Sequence, residues 1–266
     1  MYDSFNRHIN YLRVSVTDRC NLRCVYCMPA CGIKTLAHSS ILSFEEIVEV
    51  VRFAVDHGVN KVRLTGGEPL VRKDITSMVA SLSKIRKIKD LSMTTNAALL
   101  DRFAQPLADA GLQRVNISLD TVDAEHYNKI TRGGDISKVF EGIEAARQAG
   151  LLPIKINCVV TKSSDEPLAQ EVKRFCEANE LQVRFIREMN LATGQFSVVE
   201  GGEGGHCAQC NRMRLTANGD LKPCLFTDLH YNVRELGIEN AYLSAIQNKP
   251  ACGSINHHNQ FSNIGG

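Results

Sequence analysis

No apolar run in the 266 residues approaches the roughly 18–20 that a membrane span needs. The first residues, Met1-Tyr2-Asp3-Ser4-Phe5-Asn6-Arg7, lack the apolar core of a secretory signal, so the cytoplasm is the expected location. Charge of one sign is lacking too. With 31 basic and 29 acidic residues the net charge is +2, which argues neither for nor against a charged partner, and any anion site must be local. Cysteines spaced for disulfides are also missing. Six of the ten fall in two tight sets near opposite ends, a pattern suited to metal in a reducing compartment. Cys31, Cys158, Cys176 and Cys252 stand outside those sets; Cys158 and Cys176, among apolar neighbours, read as buried small hydrophobes.

What is present is an alternation of strands and helices. Residues 9–16 read as a first strand that delivers the first cysteine set. Ser43 and Glu46 form a capping-box pattern, and Phe44, Ile47, Val48, Val51, Ala54 and Val55 follow at helical spacing up to Gly58. Strands are predicted over 60–65, 90–95, 114–119, 154–160 and 182–186. The helices between them include one broken or kinked by Pro106 and a short and a longer one within 123–149. Six βα-type units in about 190 residues imply a parallel sheet with right-handed crossovers. A closed eight-fold barrel needs about 250 residues. The predicted fold is therefore α/β, an incomplete (β/α)6 TIM-like barrel over 1–189. A glycine-rich linker over 190–206 and a small C-terminal extension over 207–266 complete the expected organisation. The extension opens with a hairpin about Asn218-Gly219 that folds Cys224 back towards Cys207 and Cys210, and one helix is expected over about 233–247.

Cys20, Cys24 and Cys27, spaced C-x3-C-x2-C after the first strand, are one thiol short of a closed metal site. They read as ligands of a [4Fe–4S] cluster whose fourth iron takes a small molecule. A zinc knuckle completed by Cys31 or His38 is the alternative. Gly66-Gly67-Glu68-Pro69, at the end of the second strand, is either a tight turn or a place where backbone without Cβ atoms approaches a ligand. Glu68 is then an acceptor for an ammonium group or a helix N-terminal acid. Cys207, Cys210 and Cys224 again make three, with zinc and His206, His257 or His258 as the alternative. Arg212 and Arg214, two apart on a strand-like run, point the same way and can converge on an anion. Lys155 and Arg184 lie in otherwise apolar strands, where a barrel would turn them inward and leave them costly unless paired.

The C-x3-C-x2-C loop with Tyr26 before its last cysteine, followed by Gly-Gly-Glu-Pro on the second loop, resembles the radical S-adenosylmethionine (SAM) superfamily. With the segment from Arg13 to Cys20, the run Cys207-Ala208-Gln209-Cys210-Asn211-Arg212-Met213-Arg214 and the terminal Gly265-Gly266, it is similar to the GTP 3′,8-cyclase family of molybdenum cofactor biosynthesis. The resemblance implies two [4Fe–4S] clusters, the SAM-cleaving one on Cys20, Cys24 and Cys27 and a GTP-binding one on Cys207, Cys210 and Cys224. It implies SAM contacts at Tyr26, Gly67, Thr94 and Ser118. GTP contacts are implied at Arg13, Lys61, Arg63, Lys155, Arg184, Met189, Arg212 and Arg214. The implied reaction begins with hydrogen abstraction from the ribose C3′ by a 5′-deoxyadenosyl radical. Ring closure onto guanine C8 then gives 3′,8-cyclo-7,8-dihydro-GTP. The implied partners are an electron donor such as flavodoxin or ferredoxin, a downstream cyclic pyranopterin monophosphate synthase and a second copy in a homodimer; neither nucleic acid nor membrane is among them. The Gly-Gly tail would reach the active site. Within the same superfamily, action on another nucleotide or a peptide is the alternative, and an idle metal-binding paralogue the third reading. The connection from Met189 to Cys207 is several dozen residues shorter than the family's, so the placement of Cys207 and its arginines becomes a question for the tertiary structure.

Overall fold

The computed structural model describes residues 1–257. The chain runs β1 (Tyr11–Ser15), α1 (Phe44–Asp56), β2 (Lys61–Thr65), α2 (Ile75–Ser83), β3 (Asp90–Thr95) and α3 (Leu100–Asp109). It continues through β4 (Arg114–Ser118), α4 (Ala124–Thr131), α5 (Ile136–Gln148), β5 (Lys155–Val160), α6 (Pro167–Ala178) and β6 (Gln182–Arg187). The last part comprises β7 (Arg212–Leu215), β8 (Asp220–Lys222), β9 (Tyr231–Asn232), α7 (Val233–Leu236) and α8 (Ile238–Gln247). Among the described residues no helix is long and apolar enough to cross a membrane.

The six expected strands lie in chain order and pair in parallel, as right-handed βα units require. The sheet does not stop at β1. Strand β7 pairs with it in parallel, in the register Tyr11↔Arg212 and Arg13↔Arg214, and β8 and β9 follow antiparallel. The order is β6-β5-β4-β3-β2-β1-β7-β8-β9, an open, partial-barrel arrangement with the C-terminal strands continuing the sheet.

Every strand has two different faces, because successive side chains alternate. Leu12, Val14, Val62, Leu64, Leu91, Met93, Val115, Ile117, Ile156, Cys158, Met213 and Leu215 are buried in the main core. Their neighbours Tyr11, Arg13, Lys61, Arg63, Thr94, Arg114, Ser118, Lys155, Asn157, Arg184, Arg212 and Arg214 line a cavity on the other face. Cys158 and Cys176 are buried, as their apolar neighbours indicate. Helix α1 starts where expected: Ser43 Oγ accepts from Glu46 N (3.2 Å) and Glu46 Oε2 accepts from Ser43 N (2.6 Å).

Two helix expectations need correction. Of the two expectations for Pro106, a break or a kink, the break is excluded: α3 runs on through Pro106, which sits in its last turn, where a missing N–H costs a single hydrogen bond. The helix expected over 233–247 is two, α7 and α8, divided at Gly237, whose φ of 74° and ψ of 155° no helix accommodates. Residues 190–206 form bridges Asn190↔Gln195 and Phe185↔Glu200, the second lying on the outer edge of β6. Leu191 joins Leu225 and Phe226 in a small second apolar cluster, with Met189, Phe196 and Cys224 packed against it. His258 and Gly265-Gly266, for which ligand and active-site roles were expected, lie outside the described residues.

Candidate active site

The first cysteine set leaves β1 and is laid against two other loops. Arg23 N and Val25 N donate to the carbonyls of Thr131 and Ile130 at the end of α4 (3.2 and 3.0 Å). Arg132, just beyond that helix, donates through Nη1 to the carbonyls of Arg23 and Met28 (2.8 Å each). On the other side, Gly67 N donates to Thr17 O (2.7 Å) and Glu68 N to Arg19 O (2.8 Å). A Cβ on Gly67 would lie 2.3 Å from Arg19 O, and one on Gly66 2.7 Å from Thr17 O. The glycines are thus required first by the cysteine loop, and the N–H of Gly67 is spent on it. Both glycines line the cavity described below.

Glu68 is engaged by the protein as a capping acid. Its carboxylate is 1% exposed and accepts from Thr95 Oγ1 (2.7 Å), Asn96 N (2.7 Å) and Leu70 N (3.1 Å), capping the short turn after β2 and tying it to β3. Burial outweighs those donors and raises its pKa to about 7. Asn96 reaches Asn21 Oδ1 with Nδ2 (2.8 Å), and Cys20 Sγ accepts from Leu22 N at 3.4 Å. Tyr26 donates its hydroxyl to Asp120 Oδ2 (2.6 Å), while Asp120 Oδ1 accepts from Val159 N (2.8 Å). Burial pushes the Cys24 and Cys27 thiols up to about 12, helped by Asp120 and the neighbouring thiols, and raises Cys20. These three half-buried thiols, on one cavity wall, are donors that a cationic cluster would convert to thiolates.

The second set arrives with β7. Because Arg214 lies opposite Arg13, Arg13 opposite Arg63, Arg63 opposite Ser92 and Ser92 opposite Arg114, four arginines occupy one rung of the sheet. Burial, then Arg214, push Arg13 well below the usual guanidinium range; burial and Arg212 bring Arg214 to about 10. Arg63, Lys155 and Arg184 are lowered by burial, with further cations contributing. Arg114 is held by Asp90 (2.6 Å). The Tyr11 ring lies under both Arg63 and Arg212, 5.4 and 5.6 Å from their guanidinium carbons. Lys249, 2% exposed, donates to Arg212 O (2.7 Å) and Pro223 O (2.5 Å), and with Arg212 it pulls Cys210 down against the effect of burial.

One cavity of 590 Å³ takes in both sets: Cys20, Cys24 and Cys27 together with Cys207, Cys210 and Cys224. Tyr26, Gly67, Thr94 and Ser118 line it, as do Arg13, Lys61, Arg63, Lys155, Arg184, Met189, Arg212 and Arg214, so the structure brings every candidate site residue together. Cys31, His38 and His257 are not on its wall; His206 is. Within it Thr94 Oγ1, Tyr11 Oη and Arg212 Nε are buried with no hydrogen-bond partner. Orphaned polar atoms beside two thiol sets fit SAM and a phosphorylated ligand. Sequence reasoning missed Tyr11, Arg114, Asp120, Asn157 and Lys249. Asp120 had a signal, two residues after Ser118 at the end of β4. Tyr11 had one in its spacing from Arg13, whereas a lone lysine at 249 had none.

The family model for the radical SAM superfamily matches residues 14–175, and that for molybdenum cofactor synthesis C matches 160–251. The GTP 3′,8-cyclase of Thermodesulfovibrio yellowstonii is 40% identical over 282 residues, covering 89% of this chain and 88% of that one. That of Petrotoga mobilis is 41% identical over 280 residues, covering 88% and 87%. The chain belongs to the radical SAM GTP 3′,8-cyclase family. Radical SAM proteins use a [4Fe–4S] cluster and SAM. The GTP 3′,8-cyclase of Clostridium botulinum, 40% identical, aligns over 305 positions and 97% of this 266-residue chain, so several dozen positions of that relative have no counterpart here. Among solved structures, Streptococcus suis SuiB bound to precursor peptide SuiA has a TM-score of 0.71 at 20% identity, covering 92% of this chain and 66% of that one. Native anSMEcpe with bound AdoMet has a TM-score of 0.66 at 15% identity, covering 91% and 81%. Both share the fold of this family member.

Proposed function

We propose that this chain converts GTP to 3′,8-cyclo-7,8-dihydro-GTP for molybdenum cofactor biosynthesis, using SAM and two [4Fe–4S] clusters. The observation that carries this reading is the parallel seating of β7 on β1. It places Arg212 and Arg214 beside Tyr11 and Arg13, on the cavity that both thiol sets share.

Bound to its cluster, SAM supplies the radical that removes the substrate hydrogen. The chain's own residues bind and orient. Cys20, Cys24 and Cys27 would hold the first cluster, and Gly67, Thr94 and Ser118, with Tyr26, would receive SAM. Arg13, Lys61, Arg63, Lys155, Arg184, Arg212 and Arg214 neutralise a triphosphate, whose charge relieves their mutual repulsion. Cys207, Cys210 and Cys224 would hold the second cluster, against which the guanine would be bound. The cavity walls keep reactive species from quenchers and hold the ribose within reach. An electron donor such as flavodoxin or ferredoxin supplies the electron, and a cyclic pyranopterin monophosphate synthase takes the product.

Anaerobic reconstitution with SAM, dithionite and GTP tests the reaction: GTP is consumed as 5′-deoxyadenosine appears. 5′-Deoxyadenosine without GTP loss rejects the substrate. About eight irons per chain are expected for two clusters. Replacing Arg212 and Arg214 by alanine is expected to weaken GTP binding on the order of 10- to 100-fold per residue, from roughly 1.5–3 kcal/mol per charged hydrogen bond. SAM cleavage in the absence of GTP stays intact. Unchanged GTP affinity overturns the phosphate assignment.

A further inference from the structure

We infer that Cys207 and Cys252 form a reversible disulfide that withdraws Cys207 from the second cluster site. The effect on the cluster rests on the reading of Cys207 as a ligand; the bond itself does not. Cys252 belongs to neither spaced cysteine set, yet its Sγ lies 3.4 Å from that of Cys207. Thiolates on different irons of a cubane cluster stand on opposite corners of that cluster, well beyond van der Waals contact of their sulfurs. The pair as it stands is too close for two such ligands and within a small rotation of the roughly 2.05 Å of a disulfide.

The juxtaposition is built by other residues. Arg7 Nη1 donates to both Cys207 O (2.8 Å) and Ala251 O (3.0 Å), and its Nη2 donates to Pro250 O (2.7 Å). One guanidinium therefore clamps the two cysteine-bearing backbones side by side. Arg7 is itself fixed by Asp3 at 2.6 Å, with both residues buried. On the far side of Cys252, Ser254 N donates to Phe226 O (2.9 Å), and the ideal Cβ position of Gly253 is 3.4 Å from Cys224 Sγ. The segment about Cys252 is thus pinned over both loops of the second thiol set. Cys252 is exposed, so a dissolved oxidant reaches it.

The chemistry is thiol–disulfide exchange with a low-molecular-weight disulfide such as oxidised glutathione. Cys252 attacks one sulfur of the oxidant and releases one thiol; Cys207 then attacks the mixed disulfide and releases the second. In the metal-free chain both protein thiols lose a hydrogen, the oxidant gains two electrons and two protons, and the chain loses about 2 Da; where Cys207 holds an iron, its iron–thiolate bond breaks in place of an S–H bond and water supplies the second proton to the released glutathione. Cys210 and Cys224 remain, one ligand fewer than the proposed site has.

The test incubates the anaerobically reconstituted full chain in glutathione redox buffers of increasing oxidised fraction. Differential alkylation with peptide mass mapping then follows each cysteine, and iron is measured in parallel. The expected result is a Cys207–Cys252 linked peptide that forms before any other pair. Iron falls from about eight to about four per chain. Dithiothreitol with iron and sulfide reverses both changes. The Cys252→Ser variant is expected to keep its activity under reducing conditions and to keep iron under the same oxidation. Cys252 that stays separately alkylatable while other pairs form overturns the proposal, as does a linked peptide whose partner is not Cys207. The linked peptide without iron loss overturns the switch and, separately, the ligand role of Cys207. A Cys252→Ser chain that starts with less iron than the parent identifies Cys252 as a cluster ligand and also overturns it.

Discussion

Alanine at Gly67 is expected to disable the SAM site through the protein backbone alone. The added Cβ would lie 2.3 Å from Arg19 O and 2.6 Å from the Arg19 carbonyl carbon, where ordinary contact begins near 3.4 Å. The two loops must therefore part by about 1 Å, and the partner atoms are main chain, which cannot swing aside as a side chain does. Opening that seam stretches the bonds Gly67 N to Thr17 O and Glu68 N to Arg19 O, each contributing about 1 kcal/mol. With about 1–3 kcal/mol of overpacking strain, the loss comes to roughly 3–5 kcal/mol, a large part of the ~5–15 kcal/mol that holds a domain together. The same displacement moves Cys20 relative to Thr94 and Ser118, and 1 Å at a reacting centre costs on the order of 100-fold in rate. Denaturant unfolding of the metal-free chain reads the first effect, and 5′-deoxyadenosine formation without GTP reads the second. Gly150→Ala is the control: its φ is +73° but nothing lies within 4 Å of the new Cβ, so it adds about 1 kcal/mol of backbone strain and leaves SAM cleavage alone. A Gly67→Ala chain as stable and as active in SAM cleavage as that control would refute the close-approach reasoning.

Tyr26→Phe removes the hydroxyl that donates to half-buried Asp120, so stability near pH 7 should fall by about 1.5–3 kcal/mol. Iron retention by the first thiol set should fall with it; equal midpoints in urea would reject the anchoring role. Glu46 joins α1 to α7 through a two-pronged bridge to Arg234 (2.7 and 2.8 Å), and Arg234 holds its carboxyl down to about 2. A carboxyl depressed in the folded state contributes stability above its unfolded value near 4.5 and loses it as pH falls towards 2. Because the pair is more than a third exposed, solvent screening limits it to at most about 1 kcal/mol. Glu46→Gln keeps the capping pattern, so the chains should differ in stability at pH 7, begin to approach each other below about 4.5 and converge only near pH 2; a gap that persists there points to another cause.

Much of the fold was legible because its pattern is local. Alternation along each strand sorted core from cavity, as Val14 beside Arg13 shows, and Ser43 with Glu46 marked the start of α1. Local rules failed where context decided. Pro106 reads as a breaker but falls in a last turn, and Gly237 reads as one residue of a helix but takes a conformation that ends it. The Gly-Gly pair was noticed for its lack of side chains, yet the partner it admits first is the carbonyl of Arg19, which no spacing in the sequence identifies.

The sequence by itself determined the two thiol sets, the period of the βα units and the basic residues inside apolar strands. Each follows from spacing within a few residues, where geometry is set by the repeat of a strand or a turn. Only the tertiary structure decided that β7 returns to β1 after the short connection, because strand pairing at a separation of about 200 residues depends on which sheet edge is free and which apolar face is uncovered. Met213 and Leu215 fill that face, and the alternation then leaves Arg212 and Arg214 no direction but the cavity.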